Sequence, residues 1–119
     1  MRTKKATEHF KGLNGVKRMN CAESVAIAFE DHCLLSENEF LELKGCGGGK
    51  SPSGYCGSLH AALLLMDKKY PDKAEELKDA FGKYSGSLIC KEIRASKKVT
   101  CLDTIIMAVD HVNNCFCSY

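Results

Sequence analysis

The sequence predicts an all-α protein, a compact bundle of five or six short helices interrupted by one glycine-rich loop. Three observations carry that prediction. Apolar residues recur at three- and four-residue spacing along nearly the whole chain, the period of one face of an α-helix. β-branched residues never form an alternating run, so no strand is indicated. Proline occurs only twice in 119 residues, leaving long stretches free to be helical.

A first helix over Lys4 to Leu13 follows from Ala6, Phe10 and Leu13 at helical spacing, with Asn14-Gly15 as its stop. Asn20 then reads as an N-cap, and Glu23 three residues on completes a capping box. Along that second helix Ala22, Ala26, Phe29 and Cys33 make one stripe, and Cys21, Val25, Ala28 and His32 the neighbouring one. Ser36 with Glu39 repeats the box and opens a short helix through Phe40, Leu41 and Leu43. Gly45 to Tyr55, GCGGGKSPSGY, is the only long irregular stretch. Cys56 to Lys69 reads as a helix with Leu59, Leu63 and Met66 on its inner face. Pro71 suits the first turn of the next helix, where Leu77, Ala80, Phe81 and Tyr84 keep the 3.6-residue period. Ser87 is placed as the cap of a short helix through Ile89 and Ile93. Thr100 with Asp103 caps the last, whose Cys101, Ile105, Ala108, Val112 and Cys115 share a face.

The chain reads as one domain, 1–119, with no composition break and enough length for a core that does not depend on disulfides. Hydrophobic residues at 45% and charged residues at 27% are ordinary for a globular protein. A formal net charge of +2 is too small to suggest a nucleic-acid or anionic-membrane partner. The longest apolar run, Ala61 to Met66, falls far short of the roughly 20 residues that span a bilayer. Met1 to Lys5 is basic, but no apolar stretch follows it, so a cytoplasmic location is expected.

Eight cysteines in this length are the informative count. In a reducing compartment an excess of cysteine points to metal ligation or redox chemistry rather than to a disulfide framework. Four of them coincide with predicted helix starts: Cys21 follows the Asn20 cap, Cys101 follows Thr100, Cys56 follows the glycine loop and Cys90 lies three residues after Ser87. The first turn of a helix exposes unpaired N–H groups and a partial positive charge that favour anions. Thiolates there are expected to have depressed pKa values. If these ends converge, they form a site for thiolates or for an anionic metal–thiolate cluster.

The other cysteines read differently. Cys33 beside His32 suits a packed core thiol, whereas Cys46, inside the glycine loop, is an extra ligand or a resolving thiol. His111, Cys115 and Cys117 make an H-x3-C-x-C cluster able to hold a soft metal. Gly45 to Ser51 imitates a phosphate-binding loop, but Lys44 stands where its first glycine is required and Pro52 interrupts the following helix. Gly47, Gly48 and Gly49 instead suit close backbone approach to whatever Cys56 binds. C-x-x-C is absent, which removes the thioredoxin, zinc-knuckle and covalent-haem motifs. Cys56 with His60 one turn on is a weak match to a nucleophile–base pair.

Asn20-Cys21-Ala22-Glu23-Ser24-Val25, the Gly47-Gly48-Gly49 run, Cys56-Gly57-Ser58-Leu59-His60-Ala61-Ala62, Cys90-Lys91-Glu92-Ile93 and Cys101 together resemble one family. It is a family of redox-active proteins named after its C…CGAxxG…C…C cysteine pattern and found mainly in anaerobic bacteria and archaea. The resemblance runs from about Ala6 to Val109. It puts the signature cysteines on Cys21, Cys56, Cys90 and Cys101, and implies a small helical protein with redox or metal chemistry. The family is also similar to a domain of split-Soret cytochromes, which implies a cysteine-held iron–sulfur centre, though their haem attachment motif is missing here. The pattern's alanine is Ser58 in this chain, its second glycine is Ala61, and the stretch from Gly12 to Asn20 is longer than usual.

Three functions are expected from these residues. The first is an iron–sulfur or other metal site on Cys21, Cys56, Cys90 and Cys101 for electron transfer or redox sensing, working with a redox partner protein. The second is a thiol–disulfide oxidoreductase with Cys56 as nucleophile. The third is a structural zinc module. A centre shared across a homodimer interface is open in each case.

Overall fold

The three capping boxes expected from sequence all open helices in the computed structural model, which describes residues 2–32, 34–46 and 54–117, Cys117 by its backbone alone. Asn20 Oδ1 accepts from Glu23 N at 2.8 Å while Asn20 N donates to Glu23 Oε1 at 3.1 Å. Ser36 and Glu39 exchange the same two bonds, as do Thr100 and Asp103. Each box satisfies two N–H groups that a helix start would otherwise leave bare.

Among the described residues there are seven helices, more than the five or six expected: α1 (Arg2–Lys11), α2 (Cys21–Ile27), α3 (Glu37–Glu42), α4 (Gly57–Lys69), α5 (Ala74–Ser85), α6 (Cys90–Ser96) and α7 (Cys101–Cys117). Short 3₁₀ turns at Glu30–His32, Leu43–Cys46 and Pro71–Lys73 join some of them. The all-α class holds, and β pairing among the described residues amounts to one antiparallel bridge between Tyr55 and Ile89. No helix among these residues is long and apolar enough to cross a membrane.

Helix α7 runs through the middle and touches α1, α2, α4 and α5, while α2 lies along α4. That burial explains why α7 carries fully enclosed Thr104, Ile105, Ala108, Val109 and Val112. Helix α4 is covered by α2, α5 and α7, so its buried set is broader than one stripe. Leu59, Ala61, Ala62, Leu65 and Met66 are enclosed, whereas Leu63 is only half-buried. Ala61, which stands where the resembled pattern has glycine, is fully buried, as are Ala22 and Ala26 on α2.

Several expectations are corrected. Ser87 does not cap α6; the cap position is Ile89, with no side-chain bond. The Ser87 hydroxyl instead accepts from Ile89 N at 3.0 Å and donates to Glu92 at 2.6 Å, a local turn two residues earlier. Tyr84 is 42% exposed although it keeps the helical period, because only Leu77 and Phe81 of that stripe reach the core. Helix α1 stops at Lys11 with Gly12 at φ +68°, which turns Leu13 outward to 45% exposure.

Candidate thiol site

Cys21, Cys90 and Cys101 are the first residues of α2, α6 and α7, and Cys56 occupies the cap position of α4 rather than its first turn. Local contacts bring these starts together. Cys56 N donates to Leu88 O at 2.8 Å, and the Tyr55–Ile89 bridge lies alongside. The strand-like pairing therefore sets Tyr55 and Cys56, which lead into α4, beside Leu88 and Ile89, which lead into α6. Asn20, besides capping α2, donates through Nδ2 to Leu43 O at 2.9 Å and Lys44 O at 3.1 Å. One amide thus anchors Cys21 and the turn that ends in Cys46.

The Cys21 and Cys90 thiols feel the sulfurs around them. The Cys21 thiol is pushed up from an ordinary 9.0 to about 11, first by burial and then by the neighbouring Cys56 and Cys101 sulfurs. A hydrogen bond from Ala22 N–H pulls the other way, and Cys90 adds a smaller push. Cys90 is also raised, chiefly by burial, with Arg94 opposing and Cys56 and Cys101 reinforcing. The expectation that helix starts would depress these thiols is therefore overturned for Cys21 and Cys90. Loss of hydration on burial outweighs the partial charge of a short helix end.

Gly57 makes the close approach possible. A Cβ there would lie 2.5 Å from Cys21 Sγ, 3.1 Å from Cys46 O and 3.3 Å from Ala22 N. Any side chain would have to displace a candidate ligand or backbone. The Cys46 carbonyl thus borders the site, but its own thiol donates to Glu42 O at 3.6 Å, back along its turn. Cys21, Cys56, Cys90, Cys101 and Cys115 are free thiols. Among the described residues no three His, Cys, Asp or Glu side chains close on a point where a single metal ion could be held.

Three further residues at the site were not expected to take part in its chemistry. Arg94 interacts electrostatically with Cys90, Cys101 and Cys21. Its signal was its place four residues after Cys90, one turn along the same helix. Thr104, one turn after Cys101, and Ser58, two residues after Cys56, are both fully buried, with their hydroxyl oxygens 3.1 Å apart. Thr104 Oγ1 also lies 2.6 Å from Cys101 O and 3.6 Å from Cys56 Sγ.

Gly47, Gly48, Gly49, Cys33 and the Cys117 side chain are outside the described residues. His111 and Cys115 sit toward the far end of α7, with Cys115 about 21 Å along the axis from Cys101 at 1.5 Å per residue. Burial lowers the His111 pKa, with Glu76 opposing, and burial raises the Cys115 pKa, with Glu76 adding to it and Lys73 opposing. No group of three metal donors forms there among the described residues. His60 lies one turn after Cys56, its imidazole pKa lowered by burial.

A family model described as "Putative redox-active protein (C_GCAxxG_C_C)" matches residues 19–115, from just before the first of the four thiols to the end of the core helix. No curated protein and no solved structure matches the chain.

Proposed function

The chain belongs to the C_GCAxxG_C_C family of redox-active proteins, and from that premise we propose that Cys21, Cys56, Cys90 and Cys101 ligate an iron–sulfur centre for electron transfer or redox sensing. The observation that carries this reading is that thiols from four separate helix starts lie near enough for Cys56, Cys101 and Cys90 to add to the raised pKa of Cys21.

The donor set is all sulfur, which suits iron–sulfur clusters and zinc above harder metals. Two features favour the cluster. A single zinc, with Zn–S bonds of about 2.3 Å, needs its sulfurs about 4 Å apart, and no three donors among the described residues close in that way. A cluster takes its cysteines on different metal atoms and tolerates a wider spread. In addition, Arg94 beside Cys101 and Cys90 offsets the negative charge that thiolate ligation accumulates. Gly57, lacking a Cβ, leaves the Cys21 sulfur room beside the Cys56 cap.

When bound, such a centre takes up and releases an electron. The chain's residues hold it, tune it and shield it from water. Cys56 and Cys90 are buried, while Cys21 and Cys101 are half-buried next to exposed Arg94. That side is where a redox partner protein exchanges the electron. The same burial, with Cys21 held near 11, weighs against thiol–disulfide exchange, whose attacking group is an accessible thiolate.

The test is iron and acid-labile sulfide content, with a UV–visible spectrum, on protein purified without oxygen. Iron and sulfide near stoichiometry, with absorbance bleached by dithionite and lost in C21S, C56S, C90S and C101S, is the expected result. Zinc alone, or no metal after attempted reconstitution, would overturn it.

A further inference from the structure

We infer that Thr104, seconded by Ser58, is a positioning residue that hydrogen-bonds the Cys56 sulfur and switches from accepting to donating when that sulfur has no proton. The inference deepens the reading above, since it treats Cys56 as a working sulfur. It rests on a count of protons among four atoms.

A hydroxyl has one proton and two lone pairs. Thr104 Oγ1 has three neighbours: Cys101 O at 2.6 Å, Ser58 Oγ at 3.1 Å and Cys56 Sγ at 3.6 Å. The Cys101 carbonyl can only accept, so the Thr104 proton points there. Ser58 must then be the donor in the hydroxyl pair, and the Cys56 S–H donates to the second lone pair. All four groups are satisfied, and both hydroxyls are fully buried with no water to turn to. Among the described residues, the buried Ser24 Oγ and Ser85 Oγ are not so placed and have no hydrogen-bond partner.

That arrangement holds only while Cys56 carries its proton. As a metal ligand, or as a thiolate, the sulfur has nothing to donate and needs a donor instead. Thr104 supplies one by rotating its hydroxyl about the Cβ–Oγ1 bond, with the oxygen left in place. Its proton leaves Cys101 O, which keeps its helical N–H bond within α7, and turns to the sulfur. Ser58 goes on donating to Thr104 throughout, which strengthens the bond Thr104 makes onward. No atom is exchanged and no proton is transferred. Hydrogen bonds to ligand sulfur are among the levers that set a redox potential, because they favour the more negatively charged state.

The first readout is the infrared S–H stretch of Cys56 in the reduced, metal-free full chain, isolated as the difference between native protein and C56S. The expected band is that of a hydrogen-bonded thiol. In T104V it moves to the higher frequency of an unbonded thiol, and in T104S it returns to the native position. An identical band in native and T104V overturns the inference. Should T104V fail to fold, T104A removes the same hydroxyl and is read the same way. The second readout is the midpoint potential of the loaded protein. T104V lowers it by the equivalent of about a tenfold change in equilibrium constant, which is about 59 mV for one electron, and S58A lowers it by less. A potential unchanged in T104V overturns the tuning role even if the band moves. The infrared measurement needs no bound centre, so a chain that never loads iron would sink the proposed function and leave this result standing.

Discussion

A Cβ on Gly57 would stand 2.5 Å from the Cys21 sulfur; the residue after one signature cysteine is thus what allows another to lie beside it. The G57A protein must move the Cys21 thiol, the Cys46 carbonyl or α4 itself. The expected cost is about 1–3 kcal/mol of stability, typical of overpacking, together with loss of bound iron. Denaturant melts and metal analysis check both, and native iron content in a folded G57A would refute the crowding argument.

Asn20 does two jobs that substitution can separate. N20A removes the cap and the two bonds to Leu43 O and Lys44 O. It should cost about 1–2 kcal/mol, at the upper end of cap losses. N20S keeps a capping oxygen but cannot reach the Leu43–Cys46 turn as a donor pair, so its loss should be smaller. Urea midpoints of the three proteins should fall in the order native, N20S, N20A.

The raised Cys21 thiol makes the metal-free protein sensitive to alkali. Its folded value lies near 11 and its ordinary value at 9.0, so above pH 9 the unfolded chain binds fewer protons than the folded one. The contribution is fully present below pH 9 and is lost as pH rises toward 11. Thermal melts of the apo protein should show this decline, and C21S should flatten it. Loading should show the opposite trend, because ligation expels the thiol protons and apparent metal affinity rises with pH.

Arg94 pulls the Cys90 thiol down against its burial. In R94Q that pull disappears, so the Cys90 thiol titrates higher and alkylates more slowly at neutral pH. In loaded protein the midpoint potential should fall, since a positive charge beside the sulfurs favours the reduced state. R94K should recover most of the effect. Equal Cys90 alkylation rates in native and R94Q protein would remove Arg94 from the site.

Charge at the edges of the molecule should matter less. Arg2 holds the Asp31 carboxyl down to about 2 through a paired hydrogen bond. Its contribution is present above an unfolded value near 3.9 and is lost as pH falls through 2. The aspartate is exposed, so R2A should lose no more than about 1 kcal/mol from this pair, although Arg2 also donates to Ala28 O at 2.7 Å.

Features that depend on residues three or four apart were legible in the chain. Asn20 with Glu23, Ser36 with Glu39 and Thr100 with Asp103 could be matched to helix starts because both partners lie within one turn. Ser87 misled because its hydroxyl has a second local use, a turn that competes with the cap. Tyr84 misled because periodicity marks a face without saying how far the neighbouring helix extends over it.

Helix class and most helix starts, with Cys21, Cys56, Cys90 and Cys101 at or beside four of them, were thus written in short-range order, where a side chain meets its own backbone and a 3.6-residue period repeats. Whether those four thiols meet, and with what charge, was not. That depended on Tyr55 pairing with Ile89, on a missing Cβ at Gly57 and on Arg94 and Thr104 arriving from α6 and α7. Dehydration and mutual repulsion act through space between segments distant in the chain. They reversed the pKa shift that local helix geometry alone would lead one to expect.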